Sequence, residues 1–216
     1  MKRVVHIPIW DLPTRIFHWS IVPLIPFLWW SAQEGRMDLH IPAGIAMLGL
    51  LVFRLLWGVT GGSTARFAGF IKGPRALRDQ IAGRGAPSAG HSPLGALSVI
   101  AMLAVLAAQV GLGLFAVDED GLASGPLAHF VSYDASERLT ELHHDLFDVL
   151  LVLIALHVAA ILFYLIVRRR NLVRAMLLGK GDAPADAVPM RPAPVWRFWA
   201  AAAVAAAVAI QTGMLT

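Results

Sequence analysis

The stretch that decides the fold is residues 141–167, ELHHDLFDVLLVLIALHVAAILFYLIV. It is apolar over more than the roughly 20 residues a helix needs to cross a hydrocarbon core. It nevertheless carries His143, His144 and His157. Ionisable groups inside such a segment are expensive and are functional candidates by default. His143 and His157 are 14 residues apart, four turns at about 3.6 residues each, so both side chains leave the helix on nearly the same face. The rise between them is about 21 Å. His144 is rotated by about 100° and points elsewhere.

The rest of the chain has the same character. Of 216 residues, 57% are hydrophobic and 15% charged, against about 25% charged in an ordinary soluble domain. The mean hydropathy is +0.66. Five apolar stretches qualify as spans: Ile16–Trp30, Ile41–Val59, Leu94–Val117, Leu142–Val167 and Trp196–Met214. The first holds Pro23 and Pro26 and is expected to kink; the last is mostly alanine. With no cysteine, disulfides, c-type haem attachment, cysteine-ligated clusters and thiol nucleophiles are excluded. The net charge of +4 comes with too few polar residues for a disordered or nucleic-acid-binding chain. The expected architecture is an all-α membrane protein with a four-helix transmembrane bundle over residues 1–180. A proline-rich cytoplasmic linker follows over 181–195, then a fifth transmembrane helix over 196–216. No repeat, soluble domain or phosphate-binding loop is read.

Basic residues set the orientation. Lys2, Arg3 and Arg15 precede or open span one. Arg54, Arg66, Lys72, Arg75, Arg78 and Arg84 lie at or beyond the far end of span two. Arg168, Arg169, Arg170, Arg174, Lys180, Arg191 and Arg197 follow span four. Sixteen of the 18 basic residues thus fall on one side, which the positive-inside rule makes cytoplasmic. The N-terminus is expected inside and the C-terminus outside. Span one ends in Trp29 and Trp30 with no small-residue cleavage site, so it reads as an uncleaved span rather than a signal peptide.

Topology supplies partners for the histidines. His40 opens span two on the outer side, level with His143; His18 opens span one on the inner side, toward which His157 lies. Two histidines stacked on one helix face, each met by a histidine from another helix, are what two stacked haems need. The pairs are His40–His143 (outer) and His18–His157 (inner). The inner pair matches in depth if span four continues into Arg168–Arg170. Zinc would want ligands converging on one point, whereas His18 and His40 lie at opposite faces. Arg15 and Arg54 could bind haem propionates as bidentate guanidinium partners, or serve only as positive-inside anchors. His6 and His129 read as solvent-exposed, and His91 as a helix-start residue before Ser92 and Pro93. His144, with Asp145 and Asp148, reads as a hydrated helix end, a metal site being the alternative.

The run Trp10-Asp11-Leu12-Pro13-Thr14-Arg15-Ile16-Phe17-His18-Trp19 resembles the start of bacterial four-helix di-haem b cytochromes. These are the b561-type cytochromes and the b-type cytochrome subunits of nickel–iron hydrogenases. Leu39-His40, Phe53-Arg54-Leu55-Leu56-Trp57-Gly58, Ala65-Arg66-Phe67, His91-Ser92-Pro93-Leu94-Gly95, Leu142-His143 and His157-Val158-Ala159 extend the resemblance. It covers roughly residues 5–180 and implies the same two histidine pairs. One departure is His144, where the family would lead one to expect an acid.

The resemblance implies a multi-pass protein of the bacterial inner membrane, an electron-transfer subunit rather than a self-sufficient enzyme. Electrons would pass between a periplasmic partner, such as a c-type cytochrome or an oxidoreductase, and the quinone pool. The acidic loop residues Asp118, Glu119, Asp120, Asp134, Glu137 and Glu141 would suit a basic docking surface or be merely solvated charge. Ala104, Ala108 and Gly111 offer a small-residue face for a homo-oligomer. The competing class is a transporter or metal channel using the histidines as ligands or proton relays. For that, the spans hold little further polarity beyond Ser98, Gln109 and Gln211.

Overall fold

A computed structural model describes residues 4–71, 73–82, 84, 90–118, 120–185 and 187–216. Lys2, Arg3, Lys72 and Glu119 lie outside the described residues.

Asp11 opens the first helix, α1 (Leu12–Gln33), by accepting the Thr14 N–H at 3.0 Å. Pro13 sits in the first turn, where a missing N–H costs nothing. The helix runs on through Pro23 and Pro26. A turn through Gly35, at φ 63°, a conformation glycine adopts without penalty, leads into α2 (Met37–Thr60). Two short helices follow, α3 (Phe67–Phe70) and α4 (Pro74–Ile81). Ser92 then caps α5 (Pro93–Gly113) by accepting the Gly95 N–H at 3.1 Å. Ser132 caps α6 (Tyr133–Ile166) in the same way through Ala135. After α7 (Leu172–Leu178), closed by Gly179 at φ 77°, the chain forms a strand. This β2 (Lys180–Pro184) pairs antiparallel with β1 (Val4–Pro8), Val4 opposite Pro184 and Pro8 opposite Lys180. The last helix is α8 (Val195–Gly213).

Four of these helices, α2, α5, α6 and α8, are long and apolar enough to cross a membrane. Helix α1 is as long, but histidine, prolines, tryptophans and serines dilute its hydropathy. The helices pack as α1 on α2 and α5 on α6, with α2 also carrying α8 on its other side and α5 more sparsely. Phe17, Met47, Leu51, Leu103, Leu106 and Leu150 form the shared interior. Lipid tails are as apolar as these side chains, so close packing rather than water exclusion holds such helices together. The alanines of α8 serve this. Ala201 and Ala205 are buried, and a Cβ on Gly49 of α2 would lie 3.2 Å from that of Ala209. The alanine-rich span is therefore closely packed on α2 of its own chain.

Two features differ from the sequence reading. The extra length of α6 lies at its start, nine residues before the predicted boundary, and the helix stops at Ile166 rather than continuing through the arginines. Arg169 there adopts a left-handed φ of 54°, which an L-residue in a helix cannot hold. The second is the β1–β2 pair, since Lys180–Pro184 has none of the β-branched residues that favour strands. The proline-rich linker is tied down beside it: Met190 N–H donates to the Pro8 carbonyl, and Ser63 and Arg191 exchange hydrogen bonds.

Candidate functional site

The bundle has an acidic end, where α1 turns into α2 and α5 leads to α6, and a basic end bearing β1, β2 and α7. His40 and His143 meet toward the acidic end with ring centres 6.3 Å apart. His18 and His157 face each other toward the basic end at 6.4 Å. Two metal–nitrogen bonds of about 2 Å each, plus the distance from each nitrogen to its ring centre, come to nearly this separation. All four rings are partly covered.

Hydrogen bonds set the ring nitrogens of the first pair. His40 Nδ1–H donates to the Leu28 carbonyl at 3.0 Å, with Ser31 Oγ at 3.3 Å. His143 Nδ1–H donates to the Gln109 carbonyl at 2.9 Å. A proton held on Nδ1 leaves Nε2 as the lone-pair nitrogen, the tautomer a metal-ligating histidine uses. Ser31 Oγ donates to the same Leu28 carbonyl at 3.0 Å, so the serine and the His40 ring share one backbone acceptor of α1. The His143 ring lies against Gly113, where a Cβ would come within 2.9 Å of Cε1. A cavity of about 800 Å³ opens around this pair, lined by His40, Gly44, Met47, Leu106, Gln109 and His143 among others. That is the size of a small-molecule or cofactor site. In the second pair, His18 Nδ1 is buried with no hydrogen-bond partner among the described residues, an unsatisfied group of the kind a bound ligand resolves.

The remaining candidates sort clearly. Arg15 spends its guanidinium on the last carbonyls of α7, Met176 (3.2 Å) and Leu177. Since Arg15 is one turn from His18, α7 must fold back beneath α1, and this is how the basic end closes without a longer α6. Arg54 is buried at 3% exposure. His144 lies beside His143, ring centres 6.3 Å apart, and shares the cavity wall with Asp145 and Asp148. No metal-binding group of three or more His, Cys, Asp or Glu occurs among the described residues. His6 is exposed and pairs with Asp182 at 3.1 Å. His91 packs between Trp10 and Phe70, ring centres 4.6 and 4.4 Å away. Burial pushes its imidazole down to about 4, with the Arg54 charge a smaller cause.

Sequence reasoning missed Gly113, Ser31 and Asp11. Asp11 is buried and its second oxygen accepts from Trp57 Nε1 (3.0 Å) and Gly62 N–H (3.2 Å), bracing α1 against the end of α2. The Trp-Asp-x-Pro pattern carried that signal, as a capped helix start.

Facing imidazoles with free lone-pair nitrogens, stacked along a helical membrane bundle, fit the class of membrane b-type cytochromes. The family model of prokaryotic cytochrome b561 matches residues 9–179, and the chain belongs to that family. It is thus a membrane b-type cytochrome of electron transfer, in a family that binds b haem. Neither curated proteins nor solved structures yield a match.

Proposed function

We propose that this cytochrome carries electrons across the bacterial inner membrane with two b haems, His40 and His143 holding the outer one and His18 and His157 the inner one. The observation that carries the reading is the pair of ring separations, 6.3 and 6.4 Å, with both pairs sharing α6. Each haem, when bound, supplies a one-electron iron couple. The chain's residues determine how that couple is used. With two histidines to hold each haem, the group would supply a change of oxidation state rather than a binding place for oxygen or substrate. The Leu28 and Gln109 carbonyls hold the outer imidazoles in the ligating tautomer and make them more basic. Arg15 and Arg54 both lie toward the basic end; Arg15 is committed to the last carbonyls of α7, whereas Arg54 makes one long hydrogen bond among the described residues, to the Ala65 carbonyl at 3.5 Å.

On this reading α1 and α8 also span the membrane, the N-terminus is cytoplasmic and the C-terminus periplasmic. The acidic end then faces the periplasm, where it suits a basic redox partner such as a c-type cytochrome, and the quinone pool lies at the other terminus of the transfer. The test is electron transfer across a sealed bilayer. Proteoliposomes holding ferricyanide inside and an impermeant reductant outside should bleach the ferricyanide. His157→Ala should stop the bleaching. Haem-loaded protein that supports no transfer would overturn the proposal.

A further inference from the structure

Among the buried residues of α5, Gln109 alone is polar, at 8% exposure. Its hydrogen bond from His143 goes to the backbone carbonyl. The side-chain Oε1 is buried with no partner among the described residues, and no hydrogen bond among them involves Nε2. An amide has two donors and an acceptor oxygen. Leaving it unpaired inside an apolar helix pair costs free energy that a bound group recovers.

Gln109 lines the cavity around His40 and His143, whose other walls limit what can pair with it. The titratable groups facing that space are Asp118 and Asp120 from the loop after α5, and His144, Asp145 and Asp148 from α6, besides the two facing histidines. Helix α1 contributes none and α2 only His40; no lysine or arginine lines the cavity among the described residues. An anion placed there meets like charge without a cation, and burial opposes it as well. A neutral group is favoured, and it must offer a donor and an acceptor together. The Thr140 hydroxyl on the same wall is already engaged with Val117 and Ser136. A protonated carboxyl supplies both functions from adjacent oxygens and matches the amide in two hydrogen bonds, whereas a carboxylate only accepts.

We propose that Gln109 pairs with a protonated carboxyl of the haem held by His40 and His143, so that this centre takes up a proton with its electron. The proposal rests on the di-haem reading above. On reduction the iron passes from ferric to ferrous with one electron from the donor protein, and its charge falls by one. The carboxylate takes one proton from the water at the acidic end, forming the O–H bond that Gln109 Oε1 accepts. Oxidation releases both.

The test uses detergent-purified holoprotein, with both midpoint potentials measured from mildly acidic to mildly alkaline pH. The centre in question is the one missing from His143→Ala. Its midpoint should fall as pH rises. Gln109→Met should move that fall about one unit lower in pH, roughly the worth of one hydrogen bond. Methionine keeps the length of the side chain, and the backbone carbonyl that seats His143 is untouched, so both haems should remain. A second measurement needs no variant. Wild-type protein from cells fed δ-aminolevulinate isotope-labelled at its carboxyl carbon should show, in reduced-minus-oxidised infrared spectra, a protonated-carboxyl band displaced by the label. A band that ignores the label belongs to an aspartate and would overturn the assignment to haem. A fall with pH that Gln109→Met leaves in place would overturn the pairing. A midpoint independent of pH, with no such band, would leave only water on Gln109 and overturn the proposal while sparing the di-haem reading. Wild type with fewer than two haems would sink that reading instead.

Discussion

His143 donates its Nδ1–H to the backbone carbonyl of Gln109, 2.9 Å across the contact between α5 and α6. A side chain on one helix is thus oriented by the main chain of its neighbour, and the acceptor does not depend on which residue stands at position 109. The same helix places Gly113 one turn further on, against the ring itself.

The first prediction follows from that glycine. A Cβ at position 113 would lie 2.9 Å from His143 Cε1, closer than carbon atoms tolerate. Gly113→Val must push the imidazole off its carbonyl. Haem content should fall from two toward one per chain, with the spectrum of the other haem unchanged. Two haems with wild-type absorption would show that the ring's seat on Gly113 is not needed.

Replacing single ligands should separate the two centres. His143→Ala and His157→Ala should each leave one haem, and the two survivors should differ in midpoint potential. Loss of both haems in either variant, with the helices intact by circular dichroism, would contradict two independent pairs.

Asp11 has a structural consequence that haem counting does not reveal. Its carboxylate caps α1 and accepts from Trp57 and Gly62, so Asp11→Ala removes a cap and leaves two buried donors unsatisfied. The expected cost is about 2–4 kcal/mol, read as a lowered unfolding midpoint in detergent. A shift in Trp57 fluorescence should accompany it. An unchanged midpoint would mean that water replaces the carboxylate at no cost.

Much of this was legible in the sequence, for a physical reason. A membrane span must be apolar along its length, so each histidine in one stands out, and four turns of helix relate His143 to His157 without reference to any structure. Arg54 was visible in the same way. Gly113 and Gln109 were not, because a glycine in an apolar helix looks like any other and a backbone carbonyl leaves no trace in sequence. The end of α6 was misjudged because the arginines could extend a helix as easily as end one. The fold-back of α7, which brings Met176 to Arg15, depends on a left-handed residue that is not glycine. The β1–β2 pair was missed because Lys180–Pro184 carries no strand-favouring residue, so the partner of Val4–Pro8 leaves no signal of its own.

Helix α8 provides a prediction independent of the haems. Gly49→Leu would drive a branched side chain into Ala209 and the Ala205 carbonyl, an overpacking cost of about 1–3 kcal/mol. Thermal stability should fall while haem content and both potentials stay at wild-type values. Loss of haem in this variant would show that α8 supports the ligand helices as well as resting on α2.

The most direct measurement of the central claim is a dithionite-reduced minus air-oxidised spectrum of the detergent-purified protein, with pyridine haemochrome quantitation per chain. The account predicts sharp b-type bands and two haems per polypeptide. A single haem would contradict one of the two histidine pairs. A protein expressed with ample haem that carries none would contradict the assignment of all four histidines.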